Sequence, residues 1–185
     1  MKLKSFTRLV LLNLIVIANL AGCNFISKNL AYVDTDRLLN SYQAMLDARR
    51  QYQRQKQEWE RNLGTLAEEA RLATDTAQRL ARTLPPAARP AQAARARLKQ
   101  EQYFNYRQAV ERQDPEEMAR LTQPVLVHVN KYLRQYGEQK GYDLIFATSE
   151  SGTLVYGKPG LDITTEVAAG LNQALRDSLN AQRKK

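Results

Sequence analysis

The chain has 185 residues and a formal net charge of +9, from 28 lysines and arginines against 19 aspartates and glutamates. Its length suffices for one ordinary domain, and its basic surplus favours anionic partners such as acidic polypeptides, phosphate-bearing lipids or nucleic acid. A single cysteine excludes an intrachain disulfide.

Residues 1–22 have the layout of a secretory signal peptide. A positively charged start precedes an apolar run at 9–18, which is too short for an ordinary membrane-spanning helix. The positive charges are Lys2, Lys4 and Arg8.

The end of this signal resembles the lipobox of bacterial lipoproteins, in which a cysteine receives the lipid and becomes the new N-terminus. The matching residues are Leu20-Ala21-Gly22-Cys23, and Cys23 is the only cysteine of the chain. We therefore expect lipid attachment at Cys23, followed by a short tether to residue 29. The alternatives are an ordinary signal peptide with an incidental cysteine, or an uncleaved anchor. By resemblance to the enterobacterial sorting rule, Asn24 favours the outer membrane.

A short strand is predicted at Leu30–Val33, and Asp34, Thr35 or Asp36 can cap the helix that follows. From residue 38 to residue 84 a seven-residue repeat forms two apolar ladders, broken only at Arg49 and Lys56. The first ladder is Leu38, Met45, Tyr52, Trp59, Leu66, Ala73 and Leu80; the second is Tyr42, Arg49, Lys56, Leu63, Ala70, Ala77 and Leu84. This spacing predicts a long helix that packs along its length against another helix.

The rod must end at Leu84-Pro85-Pro86, and the tip of the chain reversal spans residues 84–90. Residues 91–139 have the length to return along the rod, with less regular apolar spacing that includes Leu98, Phe104 or Tyr103, and Val129. Asp114-Pro115 resembles a fresh helix start, so we expect a joint in the return arm, either a tolerated kink or a hinge.

After the return arm the pattern predicts two strands, at 142–147 and 153–156, and a last helix that opens at 162–166. The predicted fold is α+β, mostly α: a long antiparallel α-helical hairpin over residues 37–139 on a small three-stranded β body with a C-terminal helix. The body comprises residues 30–36 and 140–182. So small a body with open sheet edges should oligomerise.

The residues that could carry chemistry do not predict an enzyme. The only histidine, His128, has no second histidine or free cysteine beside it, and no glycine-rich phosphate loop occurs. We expect no cofactor, no metal and no catalytic residue.

Positive charge gathers at the tip of the hairpin. No acidic residue occurs between Thr76 and Gln100, a stretch that carries six basic residues. This basic tip consists of Arg79, Arg82, Arg89, Arg95, Arg97 and Lys99. It is either a solubilising surface or a feature that steers acidic clients, anionic lipid or cell-wall polymers.

The order of these elements resembles the Skp/OmpH family of periplasmic chaperones over residues 30–180. The resemblance is carried by Ala31-Tyr32-Val33-Asp34, Pro124-Val125-Leu126, Lys140-Gly141-Tyr142-Asp143-Leu144-Ile145-Phe146 and Leu161-Asp162-Ile163-Thr164-Thr165-Glu166-Val167. It implies a homotrimer with a shared barrel-like body, whose hairpins surround a cavity that holds unfolded outer-membrane proteins without ATP. The lipobox, the Pro85-Pro86 tip and the Asp114-Pro115 joint depart from the soluble type.

Two functions are therefore expected from the sequence. The first is an ATP-independent holdase for unfolded outer-membrane proteins, periplasmic and lipid-anchored to the inner leaflet of the outer membrane. The second is a lipid-anchored coiled-coil adaptor of the cell envelope. Nucleic acid is not an expected partner, because an exported chain would rarely meet any.

Overall fold

The computed structural model describes residues 29–149, 152 and 154–184. Strand β1 (Leu30–Asp34) leads into helix α1 (Thr35–Ser41), the long helix α2 (Gln43–Leu80), a 3-10 turn (Pro86–Ala88) and the longer helix α3 (Arg89–Lys140). Strand β2 (Leu144–Thr148), a second 3-10 turn (Pro159–Leu161) and helix α4 (Thr164–Arg183) complete the described fold. Cys23 and the expected signal lie outside the described residues.

The antiparallel pairing of α2 with α3 forms the hairpin that the seven-residue repeat predicts. Every member of the first ladder is buried or half-buried, and in the second ladder only Arg49 and Lys56 are exposed. The repeat places these side chains on one stripe of the helix, so burying them against α3 removes apolar surface from water. The predicted helical hairpin is confirmed.

The rod is interrupted once, at a place that the repeat does not reveal. Tyr42 adopts an extended conformation between α1 and α2, with its side chain buried and its ring stacked on His128 at 6.3 Å between centroids. The backbone groups at the break are satisfied by a side chain of α4. Asn172 Oδ1 accepts from the Gln43 N–H at 2.9 Å, and Asn172 Nδ2 donates to the Ser41 carbonyl at 2.9 Å.

The fresh helix start expected at Asp114-Pro115 is wrong, because α3 runs without interruption from Arg89 to Lys140 with Pro115 and Pro124 inside it. Whether the prolines form a tolerated kink or a hinge stays a prediction. A proline in a helix removes one hydrogen bond, which packing can offset. Asp114 does not cap a new helix. Its Oδ1 accepts from the Tyr52 hydroxyl across the hairpin at 2.5 Å, so this contact holds the arm against α2 at the proline.

The sheet of the described residues has two parallel strands, with Leu30 opposite Leu144 and Asp34 opposite Thr148. The three-stranded expectation needs correction, since residues 154–156 are not in a strand; Thr153 lies outside the described residues. β1 instead meets the chain before α4 through a single parallel bridge between Tyr32 and Asp162. The segments on both sides of β1 lie more than a hundred residues away in sequence. A local sequence pattern does not reveal such partners, which is why it did not predict this sheet.

The core lies where α1, α4 and the sheet meet the end of the hairpin that is nearest the sheet. Its members include Val33, Leu38, Tyr42, Met45, Val129, Tyr136, Val167 and Leu171. Helix α4 starts at Thr164, whose N–H donates to Asp162 Oδ1 at 2.9 Å. Its apolar residues Val167, Leu171 and Leu175 are buried or half-buried, whereas Leu179 is exposed.

Candidate functional site

Polar contacts between the two arms fix how α2 and α3 lie against each other along the whole hairpin. In order from the body to the tip, the donor and acceptor pairs are Tyr52–Asp114 at 2.5 Å, Asn62–Tyr106 at 3.0 Å, Lys99–Glu69 at 2.8 Å and Gln100–Thr74 at 3.1 Å. Each pair joins opposite arms, so each resists sliding of one helix past the other. The two arms are therefore joined by polar contacts at four places along the hairpin.

Three residues of the basic tip have polar partners. Lys99 Nζ lies 2.8 Å from Glu69 Oε2 and belongs to the contacts between the arms. Arg89 Nε donates to the Leu84 carbonyl at 3.0 Å and so closes the turn. Arg79 Nη2 donates to Thr76 Oγ1 at 3.4 Å, and Arg79 lies in the last turn of α2, where a cation is favourable at the negative helix end.

The other three residues of the basic tip, Arg82, Arg95 and Arg97, are exposed and form no ion pair with any residue that the structure describes. The six residues gather at one end of the hairpin, and four of them line two separate grooves. Arg79 and Arg82 line a shallow groove along α2, and Arg95 with Lys99 lines a second groove between the arms. The arrangement leaves net positive charge facing solvent at the tip.

Large apolar side chains of α3 point away from α2. Leu98, Phe104 and Val127 keep 53%, 47% and 58% of their surface exposed, although their apolar character makes burial favourable. The apolar residues of α2 collect on one face, whereas those of α3 are spread around the helix. The hairpin seam uses Ala96 where the sequence suggested Leu98, and it uses Tyr103, one of the two alternatives that the sequence offered beside Phe104.

One of these exposed side chains lies beside a cation. The Arg107 guanidinium carbon is 5.4 Å from the Phe104 ring centroid and 5.9 Å from that of Tyr103, and its Nε is 3.4 Å from Glu111 Oε1. Such cation–π contacts hold an aromatic ring at the surface without burying it. The surface of α3 thus combines apolar rings with charge.

The outer face of the sheet is also apolar, a feature that the sequence analysis missed. Leu144 and Phe146 are 48% and 45% exposed, beside the exposed Leu30 of β1, while the alternate residues Ala31 and Val33 face the core. The alternation of side chains along a strand is the signal that could have found this face. Between β2 and the last turns of α3 lies a groove of about 420 Å³ with a mostly apolar lining.

The perturbed ionisable groups of the body hold elements together. Burial raises the pKa of Tyr136, and the negative charge of Glu166 raises it further. Burial also disfavours the charged form of Asp162, but hydrogen bonds from Thr164 and the Arg37 guanidinium outweigh it and lower the pKa of Asp162.

The part of the chain that the structure describes contains no group of three or more His, Cys, Asp and Glu side chains placed to hold a metal. His128 is exposed and its ring stacks on that of Tyr42. Among the described helices, none is long and apolar enough to span a membrane.

Comparisons with known proteins agree with this architecture. The model of the family described as "Outer membrane protein (OmpH-like)" matches residues 29–171. The fold is similar to the crystal structure of a proposed outer membrane chaperone (OmpH-like) from Caulobacter crescentus CB15, with a TM-score of 0.71 and 14% sequence identity over 80% of this chain and 85% of that one. A comparison with curated proteins gives no match. Since the family model spans most of the described fold, the chain belongs to the OmpH-like family.

Proposed function

We propose that this protein is an ATP-independent periplasmic holdase that binds unfolded outer-membrane proteins, acts as a homotrimer and is tethered to the outer membrane by a lipid on Cys23. The family and the fold support a chaperone-type role. The observation that carries the proposal is the set of apolar side chains that α3 exposes away from α2: Leu98, Phe104 and Val127. We call them the exposed apolar residues of α3.

The strength of such contacts suits a holdase. Fully burying one large apolar side chain contributes about 1.5–3 kcal/mol, so covering a half-exposed one contributes about 1 kcal/mol. Contacts this weak bind a client only when several act together, and each is released easily. While a client is held in this way, its strands cannot pair edge to edge with those of other molecules, yet the client can still dissociate.

The test follows aggregation of an unfolded outer-membrane barrel protein diluted from denaturant. Light scattering is recorded with and without the chain from residue 24 onward, at several-fold molar excess. We expect suppression of scattering by the wild type and weaker suppression by the triple variant Leu98→Ser, Phe104→Ser, Val127→Ser. The matched control replaces three exposed polar residues of the same helix: Gln102→Ser, Gln108→Ser, Gln123→Ser.

The alternative function, a coiled-coil adaptor of the cell envelope, has one observation in its favour. The uninterrupted α3 and the polar contacts between the arms form a long paired rod, which a spacer requires. A wild-type protein that does not reduce scattering would favour the adaptor. If the triple variant and its control suppressed scattering equally, the exposed apolar residues of α3 would have no part in client binding.

The outer face of the sheet supports the proposed trimer. Leu30, Leu144 and Phe146 form an exposed apolar patch on a body that is small for independent stability. Val155 is fully exposed and Tyr156 largely so, in the connection that follows β2. We propose that these side chains pack against other copies of the chain, which would remove them from water.

Sedimentation equilibrium tests the trimer. The wild type should sediment as a trimer at micromolar concentration, whereas Leu144→Asp with Phe146→Asp should dissociate it by placing charges in an apolar contact. The control Leu179→Asp introduces a charge at an exposed position of α4 and should leave the trimer intact. A folded wild-type monomer at this concentration would contradict the proposal.

A further inference from the structure

The chain enters the described fold at one clamped residue. The Asn29 N–H donates to Asp143 Oδ2 at 2.8 Å, and the Asp143 N–H donates to the Asn29 carbonyl at 2.9 Å. Asn29 Nδ2 also donates to the Gly141 carbonyl at 3.1 Å. Three hydrogen bonds therefore hold the start of β1 against the turn that ends α3, and we call this end of the molecule the base.

The hairpin extends from the base in one direction. Gly141 caps the C-terminal end of α3 with a left-handed backbone, φ 72°, so the helix cannot continue past the base. From there α3 leads away to the tip, and its contacts with α2 place Asp114, Tyr106 and Lys99 progressively farther from Gly141. The tip and the residue at which the tether begins are at opposite ends of the protein.

We infer that the anchored protein stands with its base on the membrane that holds it, and that its hairpins and basic tip point away from that membrane. The inference rests on the proposed lipid at Cys23 and on the proposed trimer. Six residues from Cys23 to Asn29 span at most about 20 Å. The 52 residues of α3 span about 80 Å, so the tether cannot bring the tip to the bilayer while the protein stands upright.

The number of tethers determines whether the anchored protein stands upright on the membrane or lies flat on it. A single anchored monomer could rotate about its one tether until the hairpin touched the lipid. In a trimer, three clamped Asn29 residues at the same end hold three short tethers, and all three reach the bilayer together only when the base faces it. The space between the hairpins then opens away from the anchoring membrane, toward clients that arrive from the other side of the periplasm.

The experiment couples the chain from Cys23 onward to phosphatidylcholine vesicles that contain a small share of maleimide-bearing phosphatidylethanolamine. Because Cys23 is the only cysteine, its thiol attaches the protein at one defined point. A dye is placed through an encoded azide-bearing residue either at Glu138, near the base, or at Ala88, in the tip; both positions are exposed. The vesicles also carry a short-range quencher on their lipid headgroups.

We expect quenching of the base dye several-fold stronger than that of the tip dye. Inserting a long flexible Gly/Ser linker between residues 24 and 29 should reduce the difference, because it frees the base from the surface. Equal quenching at both positions, or quenching at neither, would overturn the inference. Maleimide coupling replaces lipidation by the cell, so failure of the cellular lipidation leaves this result unchanged and is detected separately by mass spectrometry. Sedimentation equilibrium of the uncoupled chain shows independently whether the trimer forms.

Discussion

The close approach of α4 to the return arm makes Gly170→Ala a sharp test of how the body packs. A Cβ at residue 170 would lie 1.9 Å from the Tyr132 hydroxyl oxygen and 3.0 Å from the ring carbon that bears it. Tyr132 is half-buried and stacks on Tyr136 with 6.2 Å between ring centroids, so it can yield only by disturbing the core. Overpacking of this kind costs about 1–3 kcal/mol.

A second effect of the same substitution has the opposite sign. Alanine within a helix is more favourable than glycine by about 1 kcal/mol. In the wild type we therefore expect Gly170→Ala to lower the free energy of unfolding by about 1 kcal/mol. In a Tyr132→Ala background the obstacle is gone, and the substitution should raise it by about 1 kcal/mol. The coupling between the two sites is then about 2 kcal/mol.

Urea unfolding followed by circular dichroism measures these differences, at fixed protein concentration because the stability of an oligomer depends on it. Gly64→Ala in α2 is the matched control, since a Cβ there would meet nothing within 4 Å. It should stabilise the protein by up to about 1 kcal/mol in both backgrounds. The reasoning is refuted if Gly170→Ala stabilises the wild type as much as the control does, or if its effect is the same in both backgrounds.

Changing all six residues of the basic tip to glutamine should slow association with an acidic unfolded client at low salt. At high salt the association rate should equal that of the wild type, because salt screens exposed charge over about 8 Å. Equal rates at low salt would indicate a merely solvated surface. Cys23→Ala should release the protein from the envelope membrane fraction and remove the acylated N-terminus from its mass spectrum, and undiminished retention would contradict lipidation. Tyr52→Phe should lower the free energy of local opening in the middle of the hairpin by about 1 kcal/mol and so speed amide hydrogen exchange there. It should have no further effect when Asp114→Ala is already present, and an additive effect would mean that the two side chains act independently. Asp162→Asn should lower the urea midpoint at about pH 7 and matter less at about pH 3. A carboxyl group whose pKa is lowered by folding stabilises the protein above its ordinary pKa of about 3.9, and that stabilisation is lost as the pH falls through the folded value. An undiminished effect in acid would exclude the charge as its cause.

Local patterns in the sequence determine the hairpin. The ladder from Leu38 to Leu80 repeats at the spacing of a helix stripe. Two consecutive prolines at 85 and 86 disfavour a helix there, and α2 ends shortly before them, at Leu80. The helix cap at Asp34, which accepts from the Arg37 N–H at 3.0 Å, also depends on neighbouring residues alone. These features follow from the sequence because each involves residues within a few turns of one another.

Only the tertiary structure decided the features that depend on distant partners. The extended Tyr42 exists because Asn172, far along the chain, satisfies the backbone on both sides of it. Asp114 and Pro115 have the pattern of a helix start, yet the helix continues, and the Tyr52 hydroxyl across the hairpin bonds to Asp114. Likewise β1 pairs in parallel with β2 across more than a hundred residues, which leaves Leu144 and Phe146 on an outer face. A local preference of about 1 kcal/mol sets what each segment can form. Burial and hydrogen bonds between distant segments, which are larger in sum, decide which of those possibilities the protein adopts.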